Sequence, residues 1–229
     1  MRKRRLFITL LIMGVFAVVG LYFWFTRDIE AQENKLDNPE IISDQIFLID
    51  GHQSDLNCLI ESDISDIDGS FDIIGDRLEF LSDEESGEWQ VILVLDIDGT
   101  SVDTGDGILD SSIEGAIKNG FDVAHHPIGR FVGTSDTMIS KLEGDHTLNF
   151  VGQLELRGIV QDYTVPAHIN VDGDTLIGSA EAEINVNDFG VDFPSAIASN
   201  ILNADISVVA TKSDEPIDHP TQTPSPHAE

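Results

Sequence analysis

The sequence predicts an all-β protein: an antiparallel up-and-down β-barrel with one short crossover helix, preceded by a single transmembrane helix at the amino terminus. Period-2 alternation of apolar and polar residues carries the first part, because a strand wet on one face only must alternate. Short, turn-rich joins between the alternating stretches make neighbouring strands antiparallel. A run of 20 uncharged residues behind four basic ones carries the last part.

The alternation is clearest from Asp145 to Val191. Leu148, Phe150, Gly152, Leu154 and Leu156 share one face, against Thr147, Asn149, Gln153, Glu155 and Arg157. Tyr163, Val165, Ala167, Ile169 and Val171 form a second inner face, with Thr164, Pro166, His168 and Asn170 outside. Leu176, Gly178, Ala180, Ala182, Ile184 and Val186 form a third, against Ser179, Glu181, Glu183 and Asn185. Arg157-Gly158 to Asp162 and Asp172-Gly173-Asp174 join them; Asp-Gly favours a hairpin because it tolerates positive φ.

At the amino terminus, Arg2, Lys3, Arg4 and Arg5 precede Leu6 to Phe25. At about 1.5 Å rise per residue that run spans roughly 30 Å, the thickness of a bilayer core. A cleaved signal peptide has a shorter apolar region and a small-residue cleavage site. This run ends instead in Leu21-Tyr22-Phe23-Trp24-Phe25, an interfacial aromatic belt. Residues 1–27 therefore read as a cytoplasmic basic flank and an uncleaved signal-anchor. The remainder is expected outside the cytoplasm, in the periplasm or at the cell surface. Residues 28–44 are polar, with Asn38-Pro39 as a breaker, and read as a tether. The barrel is expected over residues 45–212. Residues 213–229 hold Pro216, Pro220, Pro224 and Pro226 without periodicity and read as a disordered tail.

Within the barrel, Gln45–Asp50 and Asp55–Ser62 are the first expected strands, with Leu56, Cys58 and Ile60 in phase. Gly69–Ile73 and Asp76–Ser82 follow. In the next strand Trp89, Val91, Leu93, Leu95 and Ile97 are in phase, while Ile92 and Val94 put apolar groups on its other face too. Such a strand is expected to be covered on both sides. Asp96 to Asp110 suggests a calcium loop, but the EF-hand register needs Gly sixth and Glu twelfth. Ser101 and Gly107 stand there, so an acidic turn-rich loop is expected. Ser111-Ser112-Ile113-Glu114 is a capping box opening a helix that Gly120 ends. His125-His126 is a poor metal pair because adjacent side chains rarely aim at one ion; surface histidines are expected. Arg130–Met138 is a further strand. Leu202, Ala204, Ile206, Val208 and Ala210 mark the last, which should close the barrel.

Charge and motifs bound the function. From Asp28 onward, seven Lys or Arg face 42 Asp or Glu, a net charge of −35. Such a surface excludes nucleic acid as a partner and disfavours anionic headgroups. Its simplest role is solubility, with a cation-binding surface as the alternative. Cys58 is the one cysteine, so no intrachain disulfide forms, and it is expected to be a small core hydrophobe. No phosphate loop, zinc spacing, nucleophile elbow or dinucleotide fingerprint occurs. No catalytic residue, metal ligand or cofactor site is assigned, and the protein is not expected to be an enzyme.

A resemblance adds to this. Leu154 to Pro166 (LELRGIVQDYTVP) resembles the L-x-I-x-G-x-T-x-x-V-x-x-P segment of the YceI-like family, and Asn185-Val186-Asn187-Asp188-Phe189-Gly190 resembles its N-R-x-D-F-G signature. Ile49-Asp50 with Ser54, Gly69-Ser70-Phe71, and Phe121-Asp122-Val123 with Pro127 are similar to its opening, an early strand and its crossover. The family usually has Arg where this chain has Val186. Members are lipocalin-like barrels, usually secreted or periplasmic, that hold isoprenoid-type lipids. The resemblance, which covers roughly Gln45 to Lys212, implies a carrier of a long apolar lipid, polyisoprenoid or quinone-like; the membrane contact is expected from the amino-terminal run outside it, and a homodimer is a further expected assembly. Small inward residues (Gly152, Ala167, Gly178, Ala180, Ala182) would leave room for such a chain. Trp89, Phe131, Phe150, Leu154, Tyr163, Val165 and Phe189 would wall it. The alternative is a structural or adhesive ectodomain in which these residues pack a solid core; an enzyme at the membrane face is a third.

Overall fold

The computed structural model describes residues 34–39, 43–61, 66–105, 110–193 and 199–213. Nine strands and one helix follow in chain order. They are β1 (Gln45–Ile49), β2 (Asp55–Ile60), β3 (Ile67–Ser82), β4 (Trp89–Asp103), α1 (Asp110–Gly120), β5 (Ile128–Ser135), β6 (Gly144–Leu156), β7 (Ile159–Asp172), β8 (Thr175–Asn185) and β9 (Ile201–Ser213). A single 3-10 turn, Val186–Phe189, follows β8.

All pairings are antiparallel, in the order β1-β3-β2-β9-β8-β7-β6-β5-β4, and β3 pairs with β4 to close the ring. β1 and β2 are successive pieces of one stave. β1 lies between Arg77–Phe80 of β3 and Ala210–Ser213 of β9, and β2 lies between Ile67–Phe71 and Leu202–Ser207 of the same strands. The barrel thus has eight staves. Ser54, buried between the two pieces, ties them: its hydroxyl donates to Asp50 O at 2.7 Å and accepts from Val209 N at 3.0 Å.

Three expectations are corrected. The two strands expected on either side of Ile74 are one, β3, bent where the register shifts between Ile73 and Gly75. Gly75 and Asp76 absorb the bend at φ 130° and 103°. The acidic stretch Asp96–Asp103 is not loop but the second half of β4. Asp96 pairs with Arg130 at 2.6 Å, and Asp98 accepts from both the backbone and the hydroxyl of Thr100. An outer strand face tolerates carboxylates that a propensity reading assigns to turns.

The third correction concerns the tether. Residues 34–39 lie against the outside of the barrel. Glu155 accepts the backbone N–H groups of Lys35 (2.8 Å) and Leu36 (2.6 Å). Arg77 donates to Asn38 Oδ1 and to Pro39 O, both at 2.7 Å, and Arg130 donates to Leu36 O. Arg77, Glu79 and Glu155 are each 1 % exposed although they lie on the outer face of the sheet. Val94, on the apolar outer face of β4 and paired with Arg77 of β3, is fully buried as well.

Among the described residues, no helix is long and apolar enough to cross a membrane. The expected anchor and the expected tail, apart from Ser213, which ends β9, lie outside them.

Candidate functional site

Inward side chains fill the barrel unevenly. At the end holding β1 and the β7–β8 hairpin, Phe47, Phe80, Val91, Leu176 and Ala210 are completely buried. The rings of Phe47 and Phe80 meet edge to face, centroids 5.5 Å apart. That half is a solid core. Toward α1, inward residues of the same strands remain half-exposed: Leu93 and Ile97 on β4, Tyr163 on β7, Ala180, Ala182 and Ile184 on β8, Ile206 on β9. They face a cavity of about 130 Å³.

The cavity wall comes from every stave, with Phe121, Val123 and His126 of the segment after α1 at its mouth. Cys58, His126, Arg157, Tyr163 and Ser179 are the polar residues among many aliphatic and aromatic ones. A cavity with such a wall lets an apolar chain lie without unsatisfied hydrogen-bonding groups. A water needs about 10–15 Å³ on this measure, so the space takes roughly ten groups of that size.

Nine of the twelve residues chosen from the sequence line the cavity: Phe131, Phe150, Leu154, Tyr163, Val165, Ala167, Gly178, Ala180 and Ala182. The Phe131 ring lies flat over Gly133, where an added Cβ would come within 2.6 Å of it. Three do not line it. Trp89 starts β4 at the solid end and bridges to Ile139. Gly152 packs against the neighbouring strand, where a Cβ would stand 2.0 Å from Val132 O, so it contributes close strand approach instead of space. Phe189 is fully buried behind Tyr163, stacked on it with centroids 5.9 Å apart. Alternation identified the inward face of each strand, but height along the barrel decides which inward residues meet the hollow.

Residues missed from the sequence include Leu93, Ile97, Ile184, Ile206 and Cys58 on inward faces already recognised, and His126 at the mouth. His125 and His126 are half-buried, not surface residues. His125 pairs with Asp122, and His126 packs against Gly158. Among the described residues, no group of three His, Cys, Asp or Glu could hold a metal ion.

Electrostatically the cavity is quiet. Burial pushes the Cys58 thiol up to about 12, so it stays a neutral small hydrophobe. Burial also raises the Tyr163 phenol, against a lowering hydrogen bond from the Asn185 backbone, with Asp188 adding to the rise. The charged groups sit outside, where hydrogen bonding to Asp96 holds Arg130 firmly protonated.

A family model of the YceI-like domain matches residues 47–211, the barrel from β1 to β9. The chain belongs to the YceI-like family. Curated relatives include a UPF0312 protein of Pseudomonas putida, 35 % identical over 97 residues. Another from Pseudomonas savastanoi pv. phaseolicola is 32 % identical over 96 residues. The matched part is 40 % of this chain and 48 % of the first relative, so the chain spans about half the length of the curated relatives it matches. Among solved structures, Burkholderia cenocepacia BcnA aligns with a TM-score of 0.54 at 20 % identity, covering 71 % of this chain and 99 % of that one. A polyisoprenoid binding domain from Saccharophagus degradans, implicated in plant cell wall breakdown, aligns at 0.52 and 15 % identity, covering 73 % and 98 %. At these identities the likeness is one of fold.

The geometry accounts for the YceI-like motifs. Arg157-Gly158 forms a two-residue hairpin between Leu156 and Ile159, with φ 55° and 66°, which the tight turn demands of both positions. In the second motif, Asn185 accepts from Asn187 N to cap the 3-10 turn, Phe189 fills the core, and Gly190 leaves the turn at φ 70°. Val186 is buried with Phe189 in the core, so this position contributes packing and no charge to the lumen.

Proposed function

We propose that this YceI-like protein is a membrane-tethered, extracytoplasmic binding protein that holds a long apolar chain, polyisoprenoid or quinone-like, in the barrel lumen. The observation that carries this is the half-hollow interior: a cavity of about 130 Å³ with an almost wholly apolar wall. Each methylene buried there contributes about 0.8 kcal/mol, so about ten carbons supply about 8 kcal/mol before association costs. Association costs of about 4 kcal/mol or more come off that figure, so the ten carbons inside the lumen bind no tighter than about millimolar by themselves, and the rest of a longer chain must add to it. The likeness in fold to a polyisoprenoid binding domain supports the ligand class. The uncharged run Leu6–Phe25 behind four basic residues supports the tether and the location. The geometry favours binding over catalysis: polar residues are few in the wall, and the Cys58 thiol among them is pushed up to about 12, away from the reactive thiolate.

Lipid extraction of the protein purified from its native membranes, followed by mass spectrometry, tests the function. A co-purifying prenyl or quinone species is the expected result. Empty extracts, together with no rise in melting temperature on adding geranylgeraniol, would refute it. The filled-core ectodomain would then be the better description, with the packing at the β1 end extended through the barrel. Recovery of a soluble exported form beginning near Ala31 would refute the tether alone.

A further inference from the structure

We propose that a window in the barrel wall between β7 and β8 is the portal through which an apolar chain enters the lumen; this rests on lipid binding as argued above. The two strands pair only from Ala167 to Asp172 against Thr175 to Ala180. Beyond Ala180, the described residues of β8 pair with β9 alone, and β7 before Ala167 pairs with β6 alone. The next residue of β7 at the parting is Pro166, which has no N–H to offer a neighbouring strand.

The parting is held open by side chains. Further down, the Asn185 backbone N–H meets the Tyr163 phenol oxygen. Gln161 Nε2 donates to Asp188 O at 2.8 Å, and Arg157 donates to Gly190 O. Side chains of this length span more than the 4.7–4.9 Å that separates laddered strands. They brace the 3-10 turn against β7 at the foot of the window, and the Ala167–Ala180 pair closes its head.

Between these limits the two banks are Thr164, Val165 and Pro166 on β7 and Glu181, Ala182 and Glu183 on β8. On the outside, a depression of about 740 Å³ runs over both banks. On the inside, Val165 and Ala182 line the lumen. Ala182 borders both spaces, as do Cys58 and Ala204 in the laddered wall of β2 and β9, so what distinguishes the window is the missing ladder beside Ala182. Unpaired edges invite another strand; exposed Glu181 and Glu183 on one bank and Pro166 on the other oppose that and leave the gap free. The lumen's room for roughly ten water-sized groups matches about two isoprene units, so the remainder of a longer chain must leave the lumen, and the window offers it a path besides the mouth at His126.

The test bridges the window in the full-length chain. Thr164→Cys with Glu183→Cys, joined by a short bis-maleimide, ties the two banks. Asn170→Cys with Ile177→Cys, direct partners in the paired part and outside the lumen wall, is the control. Cys58 does not compete at neutral pH, because its buried thiol stays protonated. Stopped-flow fluorescence follows a dansyl-tagged geranylgeranyl ether entering and leaving. Bridging the window should slow both rates at least tenfold and leave the equilibrium affinity within about twofold, with the control unchanged. The same protein before bridging reports whether the cysteines themselves disturb the fold. Unchanged rates after bridging overturn the portal while lipid binding stands. Equal slowing in the control overturns it as well. No binding by the unbridged chain overturns lipid binding and the portal together.

Discussion

Ala180→Leu distinguishes a hollow lumen from a loosely drawn core. Ala180 lies on β8 between Ala167 of β7 and Ile206 of β9, half-exposed to the cavity. The substitution adds three carbons. In a solid core such overpacking costs about 1–3 kcal/mol. In a cavity of about 130 Å³ the side chain enters free space, and the ligand-free protein should lose less than about 0.5 kcal/mol. The loss should appear in binding. Three methylene equivalents of ligand displaced at about 0.8 kcal/mol each amount to about 2.4 kcal/mol, a weakening of roughly 50-fold. Gly178, two residues away, provides the contrast, because a Cβ there would meet Val208 Cγ2 at 2.8 Å. Gly178→Ala should therefore destabilise the ligand-free protein by about 1 kcal/mol. Thermal and urea melts with and without geranylgeraniol, with calorimetric titration, measure each quantity. A loss of 1 kcal/mol or more from Ala180→Leu without lipid, or an unchanged affinity, would refute the hollow-lumen assignment.

Three further outcomes are expected. Glu155→Gln removes the charged acceptor of the Lys35 and Leu36 backbone N–H groups, so melts should show a loss of about 1.5–3 kcal/mol and proteases should cut residues 34–39 faster; an unchanged melt would mean the strap contributes nothing. Because its thiol is pushed up to about 12, Cys58 should react with maleimide far more slowly than a free thiol at pH 8 and more slowly still with lipid bound; reaction at the free-thiol rate would contradict its burial. Residues 28–229, with net charge −35, should melt higher in molar sodium chloride than in dilute buffer, since screening shortens from about 10 Å at 0.1 M to about 3 Å at 1 M. Micromolar calcium should add nothing beyond its ionic strength, and a large rise in melting temperature would reveal a cation site instead.

The sequence by itself determined which side of each strand faces inward. Alternation depends only on the two-residue repeat of a strand, so Tyr163 to Val171 and Leu176 to Ile184 could be placed without coordinates. The turn at Arg157-Gly158 was equally legible, because its chemistry is local, whereas α1 begins at Asp110, one residue before Ser111, so the capping box read from the sequence falls inside the helix instead of opening it. What the tertiary structure alone decided is what stands opposite. Phe47, Phe80 and Leu176 face inward by the same rule as Leu93, Ala182 and Ile206, yet the first group fills one half of the barrel and the second leaves the other hollow. The difference depends on cross-barrel distances, which no single strand encodes. Likewise Glu155 and Arg77 sit at outward positions and read as solvated, but a strap more than thirty residues away in sequence buries them. Pro166 was visible as an outward residue; that it ends a ladder depends on β8 standing beside it. Periodicity is a property of one strand and its own backbone, whereas filling, burial of charge and the opening of a wall are properties of pairs that only folding brings together.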